Sequence, residues 1–85
     1  MNSIVSINSK MVGQILAQNN LGGGTLLEEA GELRIFLDNE PKSVMAMHVV
    51  TSQLEGATGR VVEVGLKSNL GPAELAQLER AGTVV

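Results

Sequence analysis

Aliphatic side chains have to build almost the whole interior of any fold that this chain adopts. Hydrophobic residues make up 44% of its 85 residues, yet Phe36 is the only aromatic one and cysteine is absent. Disulfides and cysteine-ligated metal sites are therefore excluded as supports for the core. A chain of this length buries roughly 60–65% of its unfolded surface, which favours one small domain covering residues 1–85. Small domains without such supports often gain stability by oligomerising.

The helical pattern is clearest at two places in the chain. A helix is predicted from Asn8 or Ser9 to about Asn20, because one stripe at helical spacing is apolar and consists of Met11, Val12, Ile15 and Leu16. A second helix is predicted over residues 72–81, where Pro72 suits the first turn and Gly82 follows the end. These are the two short helices that the sequence predicts.

Several segments have the composition and period of strands. Residues 32–37 alternate Leu33, Ile35 and Leu37 with Glu32, Arg34 and Phe36, which is typical of a strand with one buried face. Further strands are predicted at residues 3–7, 44–51 and 60–66, and a loop with two glycines is predicted at residues 55–59. Residues 83–85 at the end of the chain are predicted to be a short strand or a frayed tail. The sequence therefore predicts an α+β fold whose sheet is mixed or antiparallel and has four to five strands.

The predicted sheet depends most on the secondary structure of two segments. Residues 25–28 match a capping box that would start a helical turn, and they also fit a hairpin with the next strand; the hairpin is slightly favoured. Residues 44–51 are apolar on both faces when drawn as a strand, which predicts a central strand covered on both sides. One face would carry Val44, Ala46, His48 and Val50, and the other Met45, Met47 and Val49.

Net charge and hydropathy argue against two classes of partner. The formal net charge is −3, and no cluster of lysine and arginine is present, so direct nucleic-acid binding is not expected. The longest apolar stretch, residues 44–50, is far shorter than the roughly 20 residues of a membrane span. Residues 1–10 lack the pattern of a signal peptide. A cytoplasmic protein without a membrane partner is the expectation.

The loop after the first predicted helix is the only backbone-rich candidate for an anion. Gly22, Gly23, Gly24 and Thr25 could expose successive N–H groups to a phosphate. However, the P-loop pattern needs a lysine followed by serine or threonine, and Leu26 and Leu27 follow here. A flexible connection is the simpler interpretation of this loop.

Titratable residues give no strong sign of catalysis or metal binding. His48 has no acid near it in sequence, and a lone histidine in an apolar segment is more often an interior or interface residue. Five carboxylates oppose the single Arg34 between residues 28 and 40, and they lack calcium-loop spacing. Solvation explains most of them, and a patch that faces a basic partner is the functional alternative. This patch would comprise Glu28, Glu29, Glu32, Asp38 and Glu40.

The remaining candidates are apolar and point to protein contacts. Methionine is common at pliable contact surfaces, so Met45, Met47 and Val49, with Phe36 from the neighbouring strand, form a predicted self-association surface. The leading hypothesis is a non-enzymatic, self-associating interaction module, a homodimer or higher oligomer that binds another protein with a basic surface and needs no cofactor. The alternatives are a phosphate or nucleotide binder using the glycine loop, and an inhibitor that imitates nucleic acid.

Overall fold

A computed structural model of the chain describes residues 3–29 and 31–85, and for residues 3–8 and 29 it describes the backbone alone. The elements in chain order are α1 (Ser3–Gln18), β1 (Gly24–Glu29), β2 (Glu32–Leu37), α2 (Val44–Thr58), β3 (Val62–Leu66), α3 (Pro72–Ala81) and β4 (Thr83–Val84), with a short 3₁₀ turn at Lys67–Asn69. The predicted α+β class is confirmed, with three α-helices in place of the two that were expected.

The four strands form one mixed sheet in the order β3-β2-β1-β4. β1 and β2 are an antiparallel hairpin, and β4 pairs antiparallel with the other side of β1. β2 and β3 run parallel, so α2 is the crossover that connects them. The hairpin interpretation of residues 25–28 is therefore confirmed. Gly31 has φ +82°, a left-handed conformation that glycine adopts readily in such a turn, while Ala30 beside it lies outside the described residues.

The main core lies between one face of the sheet and helices α1 and α2. The predicted alternation in β2 is confirmed, since Leu33, Ile35 and Leu37 are almost completely buried. Aliphatic residues supply the whole cluster: Val12, Ile15, Leu16, Leu21, Leu26, Leu33, Ile35, Leu37, Val50, Leu54 and Val62. This composition follows from a sequence that offers the core one aromatic residue and no cysteine.

Helix α3 lies on the opposite face of the sheet. Pro72 stands at its first turn, and Glu74 Oε1 accepts a hydrogen bond from the Gly71 N–H at 3.0 Å. Leu78 is buried on this face, beside Thr25 and Gly82. Both ends of α3 agree with the sequence prediction, because its start and stop signals are local.

The predicted strand at residues 3–7 is wrong, because helix α1 already begins at Ser3. Residues 3–12 contain no proline or glycine, so the helix can extend in the N-terminal direction as far as Ser3. Three β-branched residues, Ile4, Val5 and Ile7, lie in residues 3–7, and they lower helix propensity only slightly. The apolar stripe of α1 is confirmed further along, where Val12, Ile15 and Leu16 are buried.

The predicted strand at residues 44–51 and the predicted loop at residues 55–59 are also wrong, because helix α2 occupies residues 44–58. Ser43 caps the helix, with its hydroxyl oxygen accepting from the Ala46 N–H at 3.1 Å. Gly59 ends it in the left-handed conformation, with φ +68°, and its N–H donates to Glu55 O at 2.9 Å. Between these caps, Met47, Val50 and Leu54 lie at helical spacing on the core side.

Candidate interaction surfaces

The residues predicted to form one self-association surface are separated by the helical conformation of α2. Met45 and Val49 are exposed, with 72% and 42% of their surface accessible. Met47 instead packs against the core. Phe36 lies on the other face of the sheet, where its ring is 3.4 Å from the position of a Cβ on Gly65. The prediction that these four residues share one surface is therefore wrong, because it assumed the two-residue period of a strand.

An apolar groove opens where α2 begins. Val44 is 74% exposed and stands at one wall, while Met47 and Leu66 are half-buried within the groove. We call it the α2-start groove; it encloses about 400 Å³ and is lined by Glu40, Pro41, Lys42, Ser43, Val44, Met47 and Leu66. Exposed apolar surface bordered by charged side chains is typical of contact sites for other proteins.

The outer edge of β3 is the second candidate surface. β3 is the terminal strand of the sheet and pairs only with β2 within residues 3–29 and 31–85. Glu55 of α2 reaches this edge, since its Oε2 accepts from the Val62 N–H at 3.3 Å. Terminal strands present unpaired backbone groups and readily accept a further strand.

The five acidic residues that were predicted to form one patch lie at opposite ends of the hairpin. Glu28 and Glu32 are near its turn, whereas Asp38 and Glu40 follow the far end of β2, about 20 Å away for a strand of six residues. Glu29 is paired with Glu32 in the strand register, and its side chain is outside the described part of the chain. These residues are close together in the sequence, but they form two separate acidic groups in the structure instead of one patch.

Two of these carboxylates are already paired with cations. Arg60 Nη1 lies 2.5 Å from Glu28 Oε2, and Arg60 Nη2 donates to Gly31 O at 2.8 Å. Lys67 Nζ lies 2.6 Å from Asp38 Oδ1. Glu32 and Glu40 are exposed and make no ion pair with the described residues, so they carry the uncompensated charge.

The glycine loop is packed against the turn that follows β2. A Cβ on Gly22 would lie 2.7 Å from Asn39 Nδ2, and one on Gly23 would lie 3.1 Å from Asp38 Oδ2. Asn39 Nδ2 donates to Leu21 O at 3.1 Å, which fixes the turn against the loop. Gly24 and Thr25 belong to β1, and Thr25 is 4% exposed. A phosphate beside Gly23 would therefore meet the Asp38 carboxylate, which disfavours the nucleotide alternative.

His48 lies on the exposed side of α2, so the prediction of an interior position within a strand is wrong. It lines neither the α2-start groove nor the smaller cavity beneath α3. No cluster of three or more histidine or carboxylate side chains suited to a metal ion occurs among the residues that the structure describes.

The cavity beneath α3 is too small for an ordinary cofactor. It encloses about 90 Å³ and is lined by Leu27, Arg34, Phe36, Leu70, Glu74, Gln77 and Leu78. Sites for small molecules usually enclose about 300–1,000 Å³, so this space suits a few waters.

Within the described ranges, each helix is too short or too polar to span a bilayer. No protein-family model, curated protein or solved structure was found to match the chain.

Proposed function

We propose that this chain is a non-enzymatic, self-associating protein-interaction module, with a second copy of itself as the first partner. The observation that carries the proposal is the α2-start groove, where Val44 is 74% exposed next to half-buried Met47 and Leu66. Removing apolar surface from water contributes about 25 cal/mol for each Å² that is buried. Apolar side chains that one copy leaves in water therefore favour association with another.

The size of the chain supports the same conclusion. Its core consists of about a dozen aliphatic residues, and part of its apolar surface lies outside that core on α2. A chain of this length without disulfides gains from burying further surface between copies. A twofold dimer is the expected arrangement, because it is the commonest closed assembly.

Charge defines the second partner in this proposal. The net charge of −3 favours another protein with a basic surface, and so do Glu32 and Glu40, which are exposed and make no ion pair within the described part of the chain. A cytoplasmic location belongs to the same proposal, since a sequence without cysteine suits a reducing compartment.

Light scattering at several micromolar concentrations tests the proposal. The wild-type protein should have a mass above 8.9 kDa that increases with concentration towards a dimer. Val44→Glu should weaken association, because it places a charge in the apolar contact. A glutamate at the start of α2 also suits the helix dipole, so the monomer should fold normally.

Val84→Glu is the matched control for this experiment. Val84 is 81% exposed in β4, at the other end of the sheet from β3, so the same change there should leave the mass unchanged. A wild-type mass of 8.9 kDa at every concentration would contradict self-association. Equal masses for Val44→Glu and wild type would instead exclude the α2-start groove from the contact.

A further inference from the structure

The register of β3 determines which of its backbone groups are free to bind. The Leu33 N–H donates to Val61 O at 3.2 Å, and Leu33 is aligned with Val62 in the parallel pair. Because backbone groups alternate in direction along a strand, Glu63 and Gly65 also point their N–H and C=O groups towards β2. Val62, Val64 and Leu66 therefore point theirs away from the sheet.

These outward groups are only partly satisfied. Glu55 accepts the Val62 N–H, as described above. The Val64 and Leu66 N–H groups make no hydrogen bond to any residue that the structure describes. The free donors and the Val62 and Val64 carbonyls form a short template for an added strand.

We propose that two copies join through the β3 edges in antiparallel register, with the twofold axis at Val64, so that the two sheets become one of eight strands. This inference rests on the proposed self-association and specifies its interface. The Val64 N–H of each copy would donate to the Val64 carbonyl oxygen of the other copy. Each Leu66 N–H would donate to Val62 O of the other copy. Four hydrogen bonds form in this register without displacing Glu55 from Val62.

The side chains of β3 complement themselves in this register. On the core face, Val62 of one copy meets Leu66 of the other, and the two Val64 side chains meet each other, so this face is apolar throughout. On the opposite face, Glu63 lies across from the second copy's Gly65. A register centred on Glu63 would set two carboxylates directly opposite, which is unfavourable. A register centred on Gly65 would pair only three strand residues, because the chain leaves β3 after Leu66.

Helix α2 presents a stripe of side chains on the same side as the β3 edge. Val44, His48, Thr51 and Glu55 follow one another at intervals of four, three and four residues, which places them on one side of a helix. The contact of Glu55 with Val62 shows that this side faces the β3 edge. In a twofold arrangement the two stripes run antiparallel, so His48 of one copy lies towards Thr51 of the other, and Val44 lies towards Glu55.

Proline at position 64 is a selective test, because the Val64 N–H is not part of the β2–β3 ladder. Proline is tolerated in an edge strand when its missing N–H would face solvent. Val64→Pro should raise the dissociation constant of the dimer by roughly 30-fold, as expected for two lost hydrogen bonds. Val64→Thr keeps the N–H and the branched shape and should associate like wild type. If Val64→Pro forms dimers with the same dissociation constant as the wild-type protein, the inference is overturned.

Single cysteines provide a second test that does not depend on how well the proline variant folds. The chain has no cysteine of its own, so each variant carries one thiol. Paired Val64 residues would have Cα atoms about 5.5 Å apart, within disulfide range, whereas the two Glu63 residues lie diagonally at about 7–8 Å. In a thiol–disulfide redox buffer, Val64→Cys should form a covalent dimer and Glu63→Cys should not.

The outcomes separate this inference from the proposed function. A monomeric wild-type protein would overturn both. A wild type that associates, combined with no disulfide in Val64→Cys or a preferred disulfide in Glu63→Cys, would overturn only the β3-edge register. Glu63 is more exposed than Val64. Disulfides formed by random collisions between copies would therefore be more frequent in Glu63→Cys than in Val64→Cys, which is the opposite of the expected result.

Discussion

Replacing Gly56 with alanine should stabilise the protein, because Gly56 lies in the exposed part of α2. A Cβ at this position would meet nothing within 4 Å, so the change adds no packing strain. Alanine is favoured over glycine inside a helix by about 0.8–1 kcal/mol. For a domain of this size, that corresponds to an increase in Tm of roughly 3–8 °C. Thermal and urea unfolding followed by circular dichroism would measure it, at one protein concentration so that association contributes equally.

The same substitution at Gly82 should have the opposite effect. A Cβ there would lie 2.5 Å from Thr25 Cγ2 and 2.6 Å from Leu78 O, both closer than normal contact. The φ of Gly82 is −87°, which any residue can adopt, so the expected loss comes from crowding between α3 and β1. Overpacking of this kind costs about 1–3 kcal/mol.

Gly59 provides the internal control for the position of the helix end. Its φ is +68°, and a side chain in that conformation costs about 1–2 kcal/mol, so Gly59→Ala should be destabilising although the surrounding space is open. Equal effects at Gly56 and Gly59 would refute the reasoning, because they would indicate an action on the unfolded chain alone. A destabilising Gly56→Ala would mean that residues 55–59 form a loop, as the sequence analysis predicted.

Two further predictions concern α3 and the glycine loop. Leu78→Ala should lower the free energy of unfolding by about 2–5 kcal/mol, since Leu78 is 3% exposed; urea titration measures it, and a loss below 1 kcal/mol would contradict the docking of α3 on the sheet. Calorimetry with ATP, GTP and dinucleotides at near-physiological salt should detect no tight binding, because Asp38 lies against Gly23. A low-micromolar dissociation constant that Gly23→Val abolishes would restore the nucleotide alternative.

The sequence predicts the elements whose signals are local and strong. β2 follows from the alternation of Leu33, Ile35 and Leu37, and α3 follows from Pro72 and Gly82 at its ends. α2 was missed because its first seven residues are apolar at nearly every position, so they fit both periods. Ser43, Gly59 and the spacing of Met47, Val50 and Leu54 were the signals that could have found it.

The candidate site was harder to predict because it depends on tertiary geometry. Residues 28–40 look like one acidic segment in sequence, yet β2 separates them into two groups with different cationic partners. Arg60 and Lys67, which neutralise Glu28 and Asp38, come from a distant part of the chain. Neither the β3 edge nor the α2-start groove can be recognised before β3 is known to end the sheet.

The parallel pairing of β2 and β3 has a consequence for the order in which the chain folds. The β1–β2 hairpin closes through a very short turn, whereas β3 reaches β2 only after residues 38–61 have been arranged. Closing that longer loop costs more entropy, and local structure in α2 shortens it. Until α2 forms, β2 has an open side, and open strands of this kind promote aggregation during folding, so we expect loss of the Ser43 cap to increase aggregation of the nascent chain.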